Sequence, residues 1–384
     1  MERFKQILLG VLSIVPTILI AQDAKDRVIT TGVPFLLVAA DARAAGLGDQ
    51  GVATSSDVYS QQWNPAKFAF QTSEHGVGFS YTPYLSDIVS DIFLGDLSYF
   101  YKLDERSAFA ASFRYFSLGS IETRQTIEQF PIEQRPNELT FDISYSLKLS
   151  ETFSMAVAGR YLRSDLQISD ANQDNSAAGS FGVDIAAFYE SKPVVFKKFD
   201  GIWRFGVNIS NIGPKMKYDE VGQENFIPTN FKAGGGFDFV FDPDNKLGVY
   251  LEVNKLLVPT PQDFNDDGII NQEDDEEYRK IGAIEGVFKS WTDAPDGFKE
   301  EMQEVTWSLG AEYEFRNNFH LRAGYFSESR EKGFRKFLSF GAGFKYQRII
   351  IDTSYLYATS DYPSPLEGTL RFGITFNFGD VYIN

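Results

Sequence analysis

The chain has 384 residues, 15% of them aromatic, with 36 Phe and 19 Tyr, and a formal net charge of −17 from 53 acidic against 36 basic side chains. That acidity argues against nucleic acid as a partner. Cysteine is absent, which excludes disulfides, thiolate metal sites, a catalytic Cys and a lipidated N-terminus.

Arg3 and Lys5 precede an apolar stretch from Ile7 to Ala21 that ends at Gln22-Asp23-Ala24-Lys25-Asp26, the layout of a secretory signal peptide with cleavage near Ala21. Leu19 occupies a position where a small residue is preferred, and an uncleaved anchor is the alternative. Removing residues 1–21 deletes Glu2, Arg3 and Lys5, so the mature charge becomes −17 − 1 = −18. No later window of apolar residues is long enough for a membrane helix, which leaves a β-barrel as the only route across a bilayer.

Residues 22–72 are expected to form an N-terminal plug. Pro34 opens a helical run, Phe35 to Ala45, with Gly46 placed to cap it. A second short helix is expected over Asp57–Gln62 with Ser55-Ser56 as cap, and Trp63-Asn64-Pro65-Ala66 as a turn into the first strand. A segment of this size ahead of a barrel has one economical location, the lumen.

From about residue 75 the chain falls into segments in which apolar and polar residues alternate, as in Leu139, Phe141, Ile143, Tyr145, Leu147 against Thr140, Asp142, Ser144, Ser146, Lys148. Strands are predicted at 75–84, 91–103, 106–117, 137–149, 152–166, 177–190, 201–210, 229–241, 246–256, 304–316, 318–327, 333–345, 348–358 and 367–378. Tight turns alternate with long loops around 118–136, 167–176, 211–228 and 257–303, as in outer-membrane barrels. The expected fold is therefore an all-β membrane protein, a 14-stranded antiparallel transmembrane β-barrel over residues 73–384 with a small N-terminal helical plug. Tandem soluble sandwiches are the alternative, although their strands are shorter. Tyr99-Phe100-Tyr101 and Tyr355-Leu356-Tyr357 are candidates for interfacial aromatic girdles. Glycines such as Gly234-Gly235-Gly236 read as points of wall curvature or kinking. At the C-terminus, Arg371 to Phe378 resembles the terminal strand signal of outer-membrane assembly, here followed by six more residues.

Within the loop at 257–303, Asp263-Phe264-Asn265-Asp266-Asp267-Gly268-Ile269-Ile270-Asn271-Gln272-Glu273-Asp274 fits the twelve-residue calcium loop. Asp263, Asn265 and Asp267 take positions 1, 3 and 5, Gly268 the turn, Ile269 the carbonyl position, and Asp274 position 12. The expected role of Ca2+ is structural, and a solvated acidic loop is the alternative. Tyr84-Leu85-Ser86-Asp87-Ile88-Val89 and the segment containing Phe130 and Ile132 carry apolar residues suited to partner binding, or to packing of the loops on one another.

Asp41-Ala42-Arg43-Ala44-Ala45-Gly46-Leu47-Gly48 followed by Asn64-Pro65-Ala66 resembles the plug motif of the FadL-like superfamily. The lead-in Gly32-Val33-Pro34-Phe35-Leu36 and the run Trp63 to Phe70 are similar to the PorV (LptO) family of the type IX secretion system. That resemblance implies a non-catalytic outer-membrane barrel that docks on a SprA-type translocon barrel, binds the C-terminal domains of secreted cargo and passes them to attachment-complex proteins, surrounded by outer-membrane lipid. The superfamily implies a different function, uptake of hydrophobic small molecules. Lipid A deacylation, a third reading, must contend with only two histidines, His75 and His320, both expected near the periplasmic rim.

Overall fold

A computed structural model describes residues 27–85, 89, 91–124, 130–166, 177–218, 224–265, 267, 270–360 and 367–381. The signal segment at 1–21 lies outside the described residues. Fourteen strands close into one antiparallel barrel: β1 (Ser73–Pro83), β2 (Ile92–Lys102), β3 (Ser107–Leu118), β4 (Asn137–Lys148), β5 (Phe153–Asp165), β6 (Ala178–Glu190), β7 (Asp200–Ile212), β8 (Asn230–Asp242), β9 (Asn245–Leu256), β10 (Val305–Phe315), β11 (Phe319–Ser327), β12 (Lys336–Tyr346), β13 (Ile349–Ala358) and β14 (Leu370–Val381). Each pairs with its neighbour in sequence, and β14 closes on β1 with Phe79 opposite Ile374. Every predicted strand is present, with ends shifted by a few residues.

Burial along each strand runs opposite to that of a soluble sandwich. On β4 the polar set Glu138, Thr140, Asp142, Ser144 and Ser146 is buried, whereas Phe141, Ile143 and Tyr145 are 46, 51 and 40% exposed. Apolar side chains therefore line the outside of a closed barrel and polar ones its interior, which only a lipid surround makes stable. No helix among the described residues is long and apolar enough to cross a membrane. Connections between β2 and β3, β4 and β5, β8 and β9, β10 and β11, and β12 and β13 are tight and share one rim, where β1 also begins. The β6–β7 connection, 191–199, is on the same rim and longer; the opposite rim carries the longest loops.

The aromatic triplets divide by parity. Tyr99 and Tyr101 face outward around His75, with ring centroids 6.2 and 4.7 Å away. Phe100 points inward and is fully buried against Phe68, so it belongs to the plug contact and not to a girdle. Tyr355 and Tyr357 are exposed on the outer face, while Leu356 is buried. In the terminal strand, Phe372, Phe376 and Phe378 are likewise outward and exposed.

Residues 27–72 fill the lumen, but their helices are shorter than expected. The run from Phe35 to Ala45 is split into a 3-10 turn, Pro34–Leu37, and one helical turn, α1 (Ala42–Ala45). Asp41 is extended between them and caps α1 by accepting from the Ala44 amide at 2.8 Å. Gly46 ends α1 in ordinary helical geometry, so it is not a left-handed cap; Gly48, at φ +85°, makes that turn. The second helix, α2, covers Ser60–Trp63 rather than Asp57–Gln62, and Ser55-Ser56 does not cap it. The Ser56 hydroxyl instead donates to the Lys67 carbonyl. Asn64 is extended ahead of Pro65 as the proline requires, but Pro65 opens a 3-10 segment to Phe70 before β1 begins.

Candidate functional site: a locked plug and an ordered long-loop rim

Asp41, Arg43, Gly46, Gly48, Asn64 and Pro65 all sit inside the barrel, and all but Pro65 are tied by polar or close backbone contacts. Arg43 projects from α1 to the wall, where its guanidinium donates to both oxygens of Glu312 on β10 at 3.1 and 2.9 Å. It also donates to Asp57 at 2.6 Å, to the Ser55 carbonyl at 3.1 Å and to the Ser55 hydroxyl at 2.7 Å. Glu312 is held from the other side by Arg322 of β11 at 2.5 Å, and Arg322 reaches Asp352 of β13 at 2.6 Å. One arginine thus joins two plug segments to a chain of ion pairs with members on three wall strands, β10, β11 and β13. Such bidentate, buried pairs fix geometry strongly.

Asn64 orders the second half of the plug. Its amide donates at 3.0 Å to the carbonyls of Val52 and Ala187, and its side-chain oxygen accepts from the Ala66 amide at 3.1 Å. Trp63 donates its indole N–H to Asp41 at 2.8 Å. Burial, with Asp57 nearby, pushes the Asp41 carboxyl up to about 6, and burial pulls the Lys67 ammonium down to about 8. Lys67 nevertheless finds the Gly51 carbonyl at 2.8 Å and the Thr54 hydroxyl at 3.0 Å. Glu252 on β9 accepts from the Gly51 and Val52 amides, both at 2.8 Å, and Arg371 on β14 pairs with Asp49 at 3.1 Å.

Some inward wall glycines are where the plug backbone touches. A Cβ on Gly206 of β7 would lie 1.9 Å from the Val52 oxygen, and one on Gly324 of β11 would lie 2.1 Å from the Gly48 nitrogen. Of the three glycines at 234–236, Gly234 meets the Val52 side chain, Gly236 meets the Tyr250 ring and then the Ala53 carbonyl, and Gly235 meets Phe205 of the wall. Gly46 is the C-cap of α1, as expected though not in left-handed geometry, and it also packs on Gly341 of β12. Inward parity on an alternating strand was the available signal; which inward glycines meet a plug was not written in it.

The long-loop rim is organised by the chain between β9 and β10, which contains α3 (Gln272–Lys280), α4 (Ala283–Lys289) and α5 (Phe298–Gln303). Lys255 reaches Glu301 and Glu304 at 2.9 and 2.7 Å, Lys332 reaches Glu300 and Glu304 at 2.7 and 2.9 Å, and Arg27 reaches Glu300 at 2.7 Å. The N-terminal segment, this loop and the β11–β12 loop are thereby clamped together. A cavity of about 380 Å3 lies beneath, between Phe35, Val38 and Tyr84 on one side and Glu304, Lys332 and Arg335 on the other.

In the calcium-type loop, Asp263 and Asn265 both accept from the Asp267 amide, at 3.2 and 3.0 Å, and the side chains of Asn265 and Asn271 approach the Asp267 carboxylate at 3.3 Å. Asn271 caps α3, which starts where the exiting helix of a calcium hand would. Asp274 is buried; its two oxygens accept from the Phe264 and Asn271 amides at 2.6 and 2.9 Å, and these backbone bonds lower its carboxyl. Asp263, Asn265 and Asp267 therefore converge, while Asp274 staples the loop's ends. Ile269 and Gly268 lie outside the described residues, and among the described residues no three Asp, Glu or His side chains are grouped closely enough to hold a metal ion.

The apolar loop residues separate. Tyr84 is half-buried, edge-on to Phe116 at 5.5 Å, so it packs inward. Leu85 is half-buried in a left-handed turn that accepts from Val89, which is exposed. Phe130 is 93% exposed and Ile132 lies in a short strand paired with Thr123; Ile88 lies outside the described residues. His75 and His320 are both on the short-turn rim, as expected, His75 stacked outside the wall and His320 inside beside Glu312.

The TodX ΔS2S3 mutant, a monoaromatic hydrocarbon channel, superposes with a TM-score of 0.51 at 12% identity, covering 88% of this chain and 98% of that one. The toluene transporter TodX of Pseudomonas putida gives 0.48 at 12% identity over 87 and 96%, and a FadL homologue of Pseudomonas aeruginosa 0.45 at 13% over 92 and 100%. No curated protein sequence matches the chain. The class defined by the fold is a plugged outer-membrane β-barrel of FadL-like architecture. Residues 20–263 match the family described as type IX secretion system protein PorV, and the chain belongs to that family.

Proposed function

We propose that this barrel is a non-catalytic outer-membrane component of type IX secretion that docks on a SprA-type translocon, binds the C-terminal domains of secreted cargo and delivers them to attachment-complex proteins. The observation that carries the reading, beside family membership, is the lock on the plug. A lumen crossed by Arg43–Glu312, Arg371–Asp49 and the Glu252 cradle favours a rigid platform whose working surfaces are its rims and loops. Partner contacts are assigned to the long-loop rim: to Phe130, its most exposed apolar side chain among the described residues, with Ile132 two residues on, and to Leu85, Ile88 and Val89 of the β1–β2 loop. Tyr84 supports these loops from beneath.

Export by a cleaved signal peptide, 1–21, completes this reading, with 22–72 as plug and 73–384 as barrel. The 263–274 loop is assigned a structural Ca2+ held by Asp263, Asn265, Asp267, the Ile269 carbonyl and Asp274, which would neutralise clustered carboxylates and order the rim. The second reading, a FadL-like transporter of hydrophobic small molecules, draws on the half-apolar cavity above the plug. Deletion of the gene with recovery by the intact chain separates the two. Loss of surface delivery of C-terminal-domain proteins, with retention of a large barrel and cargo on co-purification, supports secretion. Normal delivery, with bound lipid or hydrocarbon alone, supports uptake and refutes the first reading.

A further inference from the structure

We infer that α4 and the turn after it form a foot that lies in the outer leaflet, so that the long loop is anchored by lipid as well as by its ion pairs. Gly286 is buried where α4 packs on Phe226 and Pro259, with an added Cβ only 2.8 and 3.0 Å from their atoms. The face turned away from that contact carries Ile284, Phe288 and Trp291, spaced i, i+4, i+7, and these are 55, 72 and 44% exposed. Nine residues on from the end of α4, α5 begins with Phe298 and carries Met302 one turn later, 80 and 53% exposed. Five large, exposed apolar side chains within one loop are unlike a solvated surface, and Ile284, Phe288 and Trp291 share one side of it.

Its position identifies what covers it. On β8, Lys232 faces inward over the Trp63 ring, so its neighbour Phe231 faces outward with the lipid-facing set. Trp291 packs edge-on against Phe231 at 5.5 Å. The patch thus meets the apolar wall at its long-loop edge, on the same rim as exposed Trp307 near the start of β10, two strands away. Lys289, which pairs with Glu285 at 2.7 Å, follows Phe288 and Lys299 follows Phe298, placing ammonium groups beside these exposed rings in a chain that is otherwise strongly acidic. Apolar stripe, tryptophan and adjoining lysines are the features of a segment seated about 5–10 Å into the headgroup and acyl boundary, with lysines reaching anionic headgroups.

The absence of cysteine allows a single reporter. The full chain carrying Phe288→Cys, spin-labelled and reconstituted in liposomes of phosphatidylethanolamine and phosphatidylglycerol, is compared with Phe205→Cys on the lipid face and Asp296→Cys on the exposed loop. Folding is checked by heat-modifiable gel mobility, and Ile284→Cys replaces the first variant should it not fold. The expected result is a label more accessible to oxygen than to a water-soluble nickel chelate, as at Phe205, together with tryptophan quenching by brominated lipid that falls in Trp291→Phe. A label as nickel-accessible as that at Asp296 overturns the inference. So does protection that arises only when a partner barrel is added, which would make the patch a protein-docking surface.

Discussion

Arg43→Ala removes the side chain that joins the plug to the wall, and its cost follows from what is left behind. Arg43, Glu312 and Asp57 side chains are 12, 7 and 20% exposed, so the loss strands two buried carboxylates. Breaking one partner from a buried pair costs about 3–5 kcal/mol. Glu312 retains Arg322 and Asp57 retains the Ser60 hydroxyl, which places this case near the lower end, at about 3 kcal/mol. At about 1.4 kcal/mol per factor of ten, the population of states with the plug unseated should rise by roughly a hundredfold. Ala69, fully buried in the plug, supplies the reporter: Ala69→Cys is labelled by a water-soluble maleimide only when the plug opens. The labelling rate in the Arg43→Ala background should exceed that of Ala69→Cys alone by about the same factor. Equal rates in the two backgrounds would refute the lock, because they would mean that the wall contacts at Glu252, Arg371 and Asn64 hold the plug without Arg43.

The remaining predictions concern the plug's fit, the loop and the histidines. Gly206→Ala and Gly324→Ala should each destabilise plug seating by about 1–3 kcal/mol through overpacking, whereas Gly159→Ala, with nothing within 4 Å of the added carbon, should be neutral in the same labelling assay. Calcium at a hundredfold excess over its Kd should stabilise the folded loop by about 2.7 kcal/mol, read as a rise in Tm that chelator or Asp267→Ala abolishes; an unchanged melt denies the site. Burial, with Glu301 and Glu304 close by, raises Asp293 to about 6. A carboxyl raised on folding binds its proton more tightly in the folded loop, so loop stability should fall as pH rises from about 4 through about 6. Hydrogen exchange at the Thr260 amide, which Asp293 accepts, should therefore be more protected at pH 5 than at pH 7.5 after correction for intrinsic rates, and Asp293→Asn should remove the difference. Replacing His75 and His320 together by Ala should leave surface delivery intact, and its loss would reopen a catalytic reading.

Strand number, strand limits and the split between short-turn and long-loop rims were legible in the sequence because alternation with period two is local: Leu139 to Lys148 declares its two faces without reference to any other segment. The helix starting at the end of the 263–274 motif and the Asp41 cap also rest on hydrogen bonds within a few residues, yet neither was read from the sequence, where Asp41 falls inside one continuous helical run. Plug conformation is not local. Phe35 to Ala45 has the composition of one helix, yet the turn breaks so that Asp41 can hold both α1 and Trp63, and so that Arg43 can meet Glu312, 269 residues away in the chain. Tertiary structure alone also decided that Phe100 faces the plug, that Tyr84 packs beneath the rim, and that Gly46, Gly206 and Gly324 are contact points. A strand's alternation says which side chains share a face; only closure of the barrel around a filled lumen says what that face touches.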